Sequence, residues 1–272
     1  MSAEHAWAVP DTIYEQWTAE CNRIAVLTDI SKIRHASIAE NVFDHVNITY
    51  AQKYLEFATE YLTAAQLHAC VSAASAWDEA TGGRLNVSVE GARISNTACK
   101  YIALVAKMCF AFGGVPKHIV EIGGGLGGFA YIMRTLGCQV TVVDLPASIR
   151  ALANIFAHMG AGERITCISG EDRNALSTLP YGFTAVSEHA WSECPRTVRE
   201  MYADCIFKKS SAGWLTCNAT VCDPTCVADV ETLVAPRKVT THPSIFSSDR
   251  SWAVSWKAPP TFHTFGDSHA HG

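Results

Sequence analysis

From His118 to Pro146 the chain carries His-Ile-Val-Glu-Ile-Gly-Gly-Gly-Leu-Gly-Gly-Phe-Ala and, after a helical stretch, Gln-Val-Thr-Val-Val-Asp-Leu-Pro. This is an apolar strand, a glycine turn, a helix, a second strand and an acid at its end. Glycines at 123, 125 and 127 or 128 let the backbone turn sharply out of a buried strand and approach a ligand where a side chain would collide. Asp144 lies 21 positions beyond Gly123, where the second strand ends and a carboxylate can take both hydroxyls of a ribose. The chemistry indicated is binding of a nucleotide-type cofactor.

The spacing fits GxGxxG through Gly123, Gly125 and Gly128, and equally ExGxGxG through Glu121, Gly123, Gly125 and Gly127. Nicotinamide dinucleotides and S-adenosylmethionine are both admissible on that count. Glu121 tilts the choice, because an acid just before the glycines repels a pyrophosphate but suits a ligand bearing an amino group and a sulfonium. A second chemical segment is Val186-Ser187-Glu188-His189-Ala190-Trp191-Ser192-Glu193. His189, one residue past the expected end of a fourth strand, is the candidate general base, since imidazole titrates near neutrality. Glu188 is a candidate for the same pocket, and Glu193 for binding substrate hydroxyls or fixing the His189 tautomer.

These residues need a scaffold. Residues 11–112 read as helices, with apolar and aromatic positions three and four apart in Tyr50, Tyr54, Phe57, Ala58, Tyr61, Leu62, Ala65 and again from Ala98 to Cys109. Tyr50, Tyr54, Trp77 and Tyr101 could stack on a sugar ring, although helical spacing favours the core. Gly82-Gly83 and Gly91 mark a loop between two helical blocks, and Gly113-Gly114-Val115-Pro116 a break before the first strand. Strands are expected near 118–122, 139–143, 164–168, 183–187 and 212–218, with helices near 127–136, 147–159 and 196–207. This alternation implies a mainly parallel sheet covered on both faces. Lys238-Val239-Thr240 and Trp252–Trp256 read as an antiparallel pair closing it, the feature that separates the methyltransferase variant of this architecture from the dinucleotide one. The organisation expected is a helical N-terminal region at 1–115, a cofactor-binding domain at 116–257 and a flexible tail at 258–272.

At 272 residues, 49% hydrophobic and 17% charged, the chain has the composition of a globular protein with a substantial core. A net charge of −5 leaves no basic footprint for nucleic acid. No stretch is apolar enough to span a membrane, and no secretory leader is evident. Eleven scattered cysteines suggest reduced core thiols in a cytoplasmic protein. Cys217, Cys222 and Cys226 lack CxxC spacing, and no histidine pair stands at metal-ligand spacing, so no metal is expected.

Val120–Gly128, Val143-Asp144-Leu145-Pro146 and Val186–Glu193 together resemble the sugar O-methyltransferase family, in which a strand ending Ser-Asn-Tyr-Ala-Phe-Ser-Glu follows the same cofactor motif. Ser251–Trp256 is similar to that family's last, aromatic-ended strand. The resemblance covers about 116–257 and implies an α/β, Rossmann-like class I fold: a mainly parallel seven-stranded sheet with a terminal antiparallel strand, here preceded by a helical cap. Where the family has Asn-Tyr, this chain has Glu188-His189. The resemblance implies that S-adenosylmethionine lies across the strand ends, its methionine part in the loop formed by Gly123, Gly124, Gly125 and Gly127. It further implies Glu121 at the amino end, Asp144 on the ribose, Leu145 on the adenine, and Glu171 or Asp172 at the adenine amino group, with Ser187 nearby. The expected activity is methyl transfer to a hydroxyl of a sugar or glycosylated small molecule. An NAD(P)-dependent oxidoreductase, a methyltransferase of a non-sugar small molecule and an inactive cofactor-binding module are the rivals. The helical region could serve as a lid or as a homodimer interface.

Overall fold

The computed structural model describes residues 11–42, 46–218, 226–235, 237–243 and 251–257. Five helices and a hairpin come first: α1 (Asp11–Ile24), α2 (Ser37–Val42), α3 (Ile48–Tyr61), α4 (Ala64–Thr81), strands β1 (Val87–Val89) and β2 (Ala92–Ile94), then α5 (Asn96–Phe112). Local chemistry sets their ends. Thr63 and Gln66 form a reciprocal capping box at the start of α4, and Gly82 closes it in the left-handed conformation. The Ser95 side chain accepts from Ala98 N–H to open α5, and Gly113 ends it. The hairpin is absent from the sequence-based expectation. It forms because Glu90 and Gly91, both at positive φ (49° and 81°), supply a two-residue turn between the short alternating runs Val87–Val89 and Ala92–Ile94.

Strands and helices then alternate through β3 (His118–Ile122), α6 (Gly128–Thr135), β4 (Gln139–Asp144), α7 (Pro146–His158), β5 (Ile165–Ser169), α8 (Arg173–Ser177), β6 (Thr184–Glu188), α9 (Ala190–Glu193), α10 (Arg196–Cys205), β7 (Ala212–Asn218), α11 (Cys226–Val234), β8 (Val239–Pro243) and β9 (Ser251–Lys257). Among these, α8, α9 and α11 are additions to the sequence reading. Helices α8 and α9, at five and four residues, are too short for apolar periodicity to register. The main sheet has seven strands in the order β5-β4-β3-β6-β7-β9-β8. Strands β5 to β7 run parallel, whereas β9 is antiparallel to both β7 and β8. The order reverses between β3 and β6, which opens a crevice at their carboxyl ends where an α/β sheet takes its ligand.

The early helices share the main hydrophobic core. One cluster joins Tyr54 of α3, Cys70 of α4 and Ile102 of α5 to Ile119 of β3, Phe129 of α6 and Trp214 of β7. A second lies on the opposite face, with Trp191, Phe207 and Trp256. A third packs Trp17, Ile24 and Ile33 on Ala151 and Ile155 of α7. Inside the early helices Arg34 and Asp78 form a fully buried ion pair, completed by Ser95 Oγ at 3.0 Å from the guanidinium and by Ser95 N–H at 2.6 Å from Asp78. Such a pair stays only if its remaining lone pairs and protons are satisfied.

Nine cysteines of the described residues are free thiols, and burial pushes Cys21, Cys70, Cys99 and Cys217 up to about 12. Among the described residues no helix is long and apolar enough to cross a membrane, and no group of side chains could hold a metal ion. Cys222 and the tail at 258–272, with His263, His269 and His271, lie outside the described residues, as does the side chain of Cys226.

Candidate active site

The glycine loop leaves β3 at Gly123 and enters α6 at Gly128. Gly123 and Gly127 have φ of 83° and 79°, where a Cβ is strained in any case. Space forbids one as well: a Cβ on Gly123 would strike the Ala190 methyl, and one on Gly127 would lie 2.6 Å from the Phe156 ring. Gly124 and Gly128 are closed off by Val142 and by Trp77 and Tyr101. The turn itself is held by Gly127 N–H donating to the Gly124 carbonyl at 2.8 Å. The glycines are therefore required by packing around the loop as well as by its conformation.

Two expected acids meet at this loop. Asp144, ending β4, accepts from Gly124 N–H at 2.9 Å and from Leu145 N–H at 2.7 Å. Burial raises its carboxyl, against the Leu145, Gly124 and Gly125 amides and the Ser148 hydroxyl, which favour the ionised form. Glu121, on β3, is 6% exposed, and its Oε2 has no hydrogen-bond partner among the described residues. Burial, then the charges of Asp144 and Glu188, push it up to about 8. An unpartnered buried carboxyl oxygen beside a glycine turn is a ready acceptor for an ammonium group, whose arrival would restore its charge. The residues present thus fit the amino-acid end of S-adenosylmethionine. Leu145 opens α7 and joins the cluster of Trp17 and Leu126.

The other expected residues divide. Ser187 is wholly buried; its hydroxyl donates to the Ile122 carbonyl at 3.0 Å and accepts from Trp191 N–H at 2.9 Å, so it seams β6 to the start of the glycine loop. Asp172 caps α8 through Ala175 N–H at 2.9 Å, and Glu171 beside it is exposed. Glu193 is the half-buried last residue of α9. Trp77 and Tyr54 are buried in the core, away from any sugar-stacking surface.

Glu188 ends β6, and His189 follows it at the start of α9. His189 takes φ 73° and ψ −43°, a conformation costing about 1–3 kcal/mol in a non-glycine residue. It is held there because His189 N–H donates to the Thr216 carbonyl at 2.9 Å while its own carbonyl accepts from Ser192 N–H and Ser192 Oγ, at 2.9 and 2.6 Å. Nε2 of His189 lies 3.7 Å from Glu188 Oε1. Glu188 also receives the Thr216 hydroxyl at 2.5 Å and faces Lys100 Nζ at 3.6 Å. Burial alone would raise its carboxyl, but Lys107, Lys100, His189 and Thr216 outweigh burial and hold it at about 2. Sequence reasoning missed Lys100, Lys107 and Thr216. The two lysines are the charged residues of α5, seven apart and so on one face of an otherwise apolar helix, a signal present in the sequence.

No protein-family model and no curated protein matches the chain. Solved structures similar to it include the glycopeptide N-methyltransferase MtfA, at 15% identity and TM-score 0.44 over 58% of this chain and 90% of that one. The N-methyltransferase NodS from Bradyrhizobium japonicum WM9, in complex with S-adenosyl-L-homocysteine, gives 15%, 0.43, 59% and 86%. The methyltransferase domain of bacterial CtHen1 gives 11%, 0.44, 58% and 97%. Likeness at this level carries no argument about chemistry. What the order and direction of the seven strands establish is a Rossmann-like α/β fold of the methyltransferase type.

Proposed function

We propose that this chain is an S-adenosylmethionine-dependent methyltransferase acting on a hydroxyl of a sugar or glycosylated small molecule. The observation that carries the cofactor half is the buried Glu121 carboxyl with an unpartnered oxygen beside the glycine turn and Asp144. A dinucleotide would bring its pyrophosphate to this acid, whereas an ammonium group relieves it. The sugar half is supported by the sequence resemblance of Val186–Glu193 alone. Glu121 would hold the amino group, Gly123–Gly127 the amino-acid backbone, and Asp144 the ribose.

When bound, S-adenosylmethionine supplies an electrophilic methyl on a sulfonium. Holding the acceptor oxygen in line with it provides most of the acceleration, up to about 7–11 kcal/mol for well-oriented pairs. The His189 imidazole would take up the proton that the acceptor hydroxyl gives up on methylation. The ionised Glu188, 3.7 Å from Nε2, stabilises the imidazolium that results. The helical region before β3 would act as a cap on the acceptor side, since α5 brings Lys100 to Glu188.

The test is methyl transfer from labelled S-adenosylmethionine to a panel of glycosides, nucleotide sugars and amines, with the product's methyl position mapped. Label in a sugar hydroxyl supports the full reading. Label only in amines retains the methyltransferase and removes the sugar, and no transfer with tight cofactor binding points to an inactive module.

A further inference from the structure

Two indole N–H groups of the early helices end on the cofactor motif. Trp77 of α4, 1% exposed, donates from Nε1 to the Leu126 carbonyl in the glycine loop at 3.1 Å. Its ring also fills the space beside Gly128, where a Cβ would lie 2.8 Å from Trp77 Cζ2. The ring is itself fixed, because the Arg34 guanidinium stacks on it 4.4 Å from the centroid while bound to Asp78 and Ser95. Trp17 of α1 donates from Nε1 to Ser148 Oγ at 3.2 Å. Ser148 is wholly buried; its oxygen also lies 3.6 Å from Cys21 Sγ, and its hydroxyl is one of the groups that favour the ionised Asp144 carboxylate. Around this contact α1 and the chain after it are stitched along α7 by Arg150 to Asn22, Asn154 to the Ile24 and Leu27 carbonyls, and His158 to the Thr28 carbonyl. The glycine loop and the acid of the second strand therefore each rest on a tryptophan from outside the cofactor motif, 49 and 131 residues away from the residues they hold.

We infer that Trp77 and Trp17 are positioning residues for the cofactor: Trp77 sets the glycine loop through Leu126, and Trp17 orients Asp144 through Ser148. This rests on the S-adenosylmethionine reading and extends it to residues that touch no ligand. Removing either N–H leaves a buried acceptor without its donor and lets the supported element drift, a loss felt by cofactor binding before chemistry.

Trp77→Phe and Trp17→Phe remove the N–H and keep an aromatic ring, and Ser148→Ala breaks the second relay without adding bulk. Calorimetric titration of each full-length variant with S-adenosylhomocysteine should show Kd weakened about tenfold for Trp77→Phe and about fivefold for the other two. KM for S-adenosylmethionine should rise in step while kcat at saturating cofactor stays within about twofold of the parent's. A purely structural role would lower Tm and leave Kd and KM alone, and that result in folded variants overturns the inference. Trp17→Phe and Ser148→Ala act on a separate relay, so they decide the matter even where Trp77→Phe does not fold. Binding by the parent with unchanged variants removes this inference only, whereas a parent that binds no S-adenosylhomocysteine removes the cofactor reading and the inference with it.

Discussion

Glu121 and Glu188 sit on neighbouring parallel strands and, by the register that pairs Glu121 with Val186, face the same side of the sheet. Both are largely buried, yet Glu121 is pushed up to about 8 and Glu188 is held at about 2. The difference lies in what α5 and β7 bring to each. Lys100, Lys107 and Thr216 reach Glu188, while Glu121 meets the negative charges of Asp144 and Glu188 and has an oxygen with no partner among the described residues. One carboxyl is neutralised by the protein's own cations. The other stays protonated up to about pH 8. The crevice is divided in this way into a half with a neutral, buried acid, where the proposed ammonium group would bind, and a half whose acid is already ionised.

The comparison can be broken most forcefully at His189. His189→Ala should lower kcat about 10²-fold or more and leave S-adenosylhomocysteine affinity within about twofold, since a general base contributes 10²–10⁴ and the imidazole is on the acceptor half. Equal kcat in the variant and its parent would remove the base assignment.

Next in size is Glu188→Gln. A carboxyl whose folded pKa is about 2 against an ordinary 4.5 stabilises the fold above pH 4.5, and that stability is lost as pH falls through about 2. The variant should lose about 2 kcal/mol at pH 7 by urea titration, with the deficit closing toward pH 2–3. A deficit independent of pH would mean the lysines do not hold the charge.

Glu121→Gln should do the reverse. A folded pKa raised from 4.5 to about 8 favours the neutral acid, so its contribution is full below pH 4.5 and lost as pH rises through about 8. The variant should match its parent at pH 4 and be more stable at pH 9 by about 1–3 kcal/mol, while losing cofactor affinity. Parallel pH–stability curves for the two proteins would contradict the burial argument.

The smallest effect concerns the backbone. His189→Gly should be more stable than His189→Ala by about 1 kcal/mol in thermal unfolding, because φ 73° is open to glycine and strained for alanine.

The readable part of the site was the local part. The turn at Gly123–Gly128, the acids at 121 and 144 and the pair Glu188-His189 are each set by strand and turn chemistry within a few residues, and the antiparallel closing pair followed from the loop around Pro243. The hairpin at Val87–Ile94 was also present as an alternating run around Glu90-Gly91, but so short a signal yields to the helical periodicity on either side. What stayed hidden depends on distance along the chain. The Trp17–Ser148 and Arg34–Asp78 contacts span 131 and 44 residues, and no periodicity encodes which helix lies against which. The partner of His189 could not be chosen from sequence either. Glu193 stands on the same segment as a reasonable companion, and strand pairing that sets Glu188 opposite Thr216 brings a second carboxylate, one residue away, to 3.7 Å from the imidazole.

The most direct test of the account is isothermal titration of the purified protein with S-adenosylhomocysteine and, in parallel, with NADH and NADPH, at pH 7 in two buffers of different ionisation enthalpy. The account predicts binding of S-adenosylhomocysteine alone, accompanied by proton release as Glu121 ionises against the ligand's ammonium group. Binding of a dinucleotide in its place, or binding of S-adenosylhomocysteine with no difference between buffers, would contradict it.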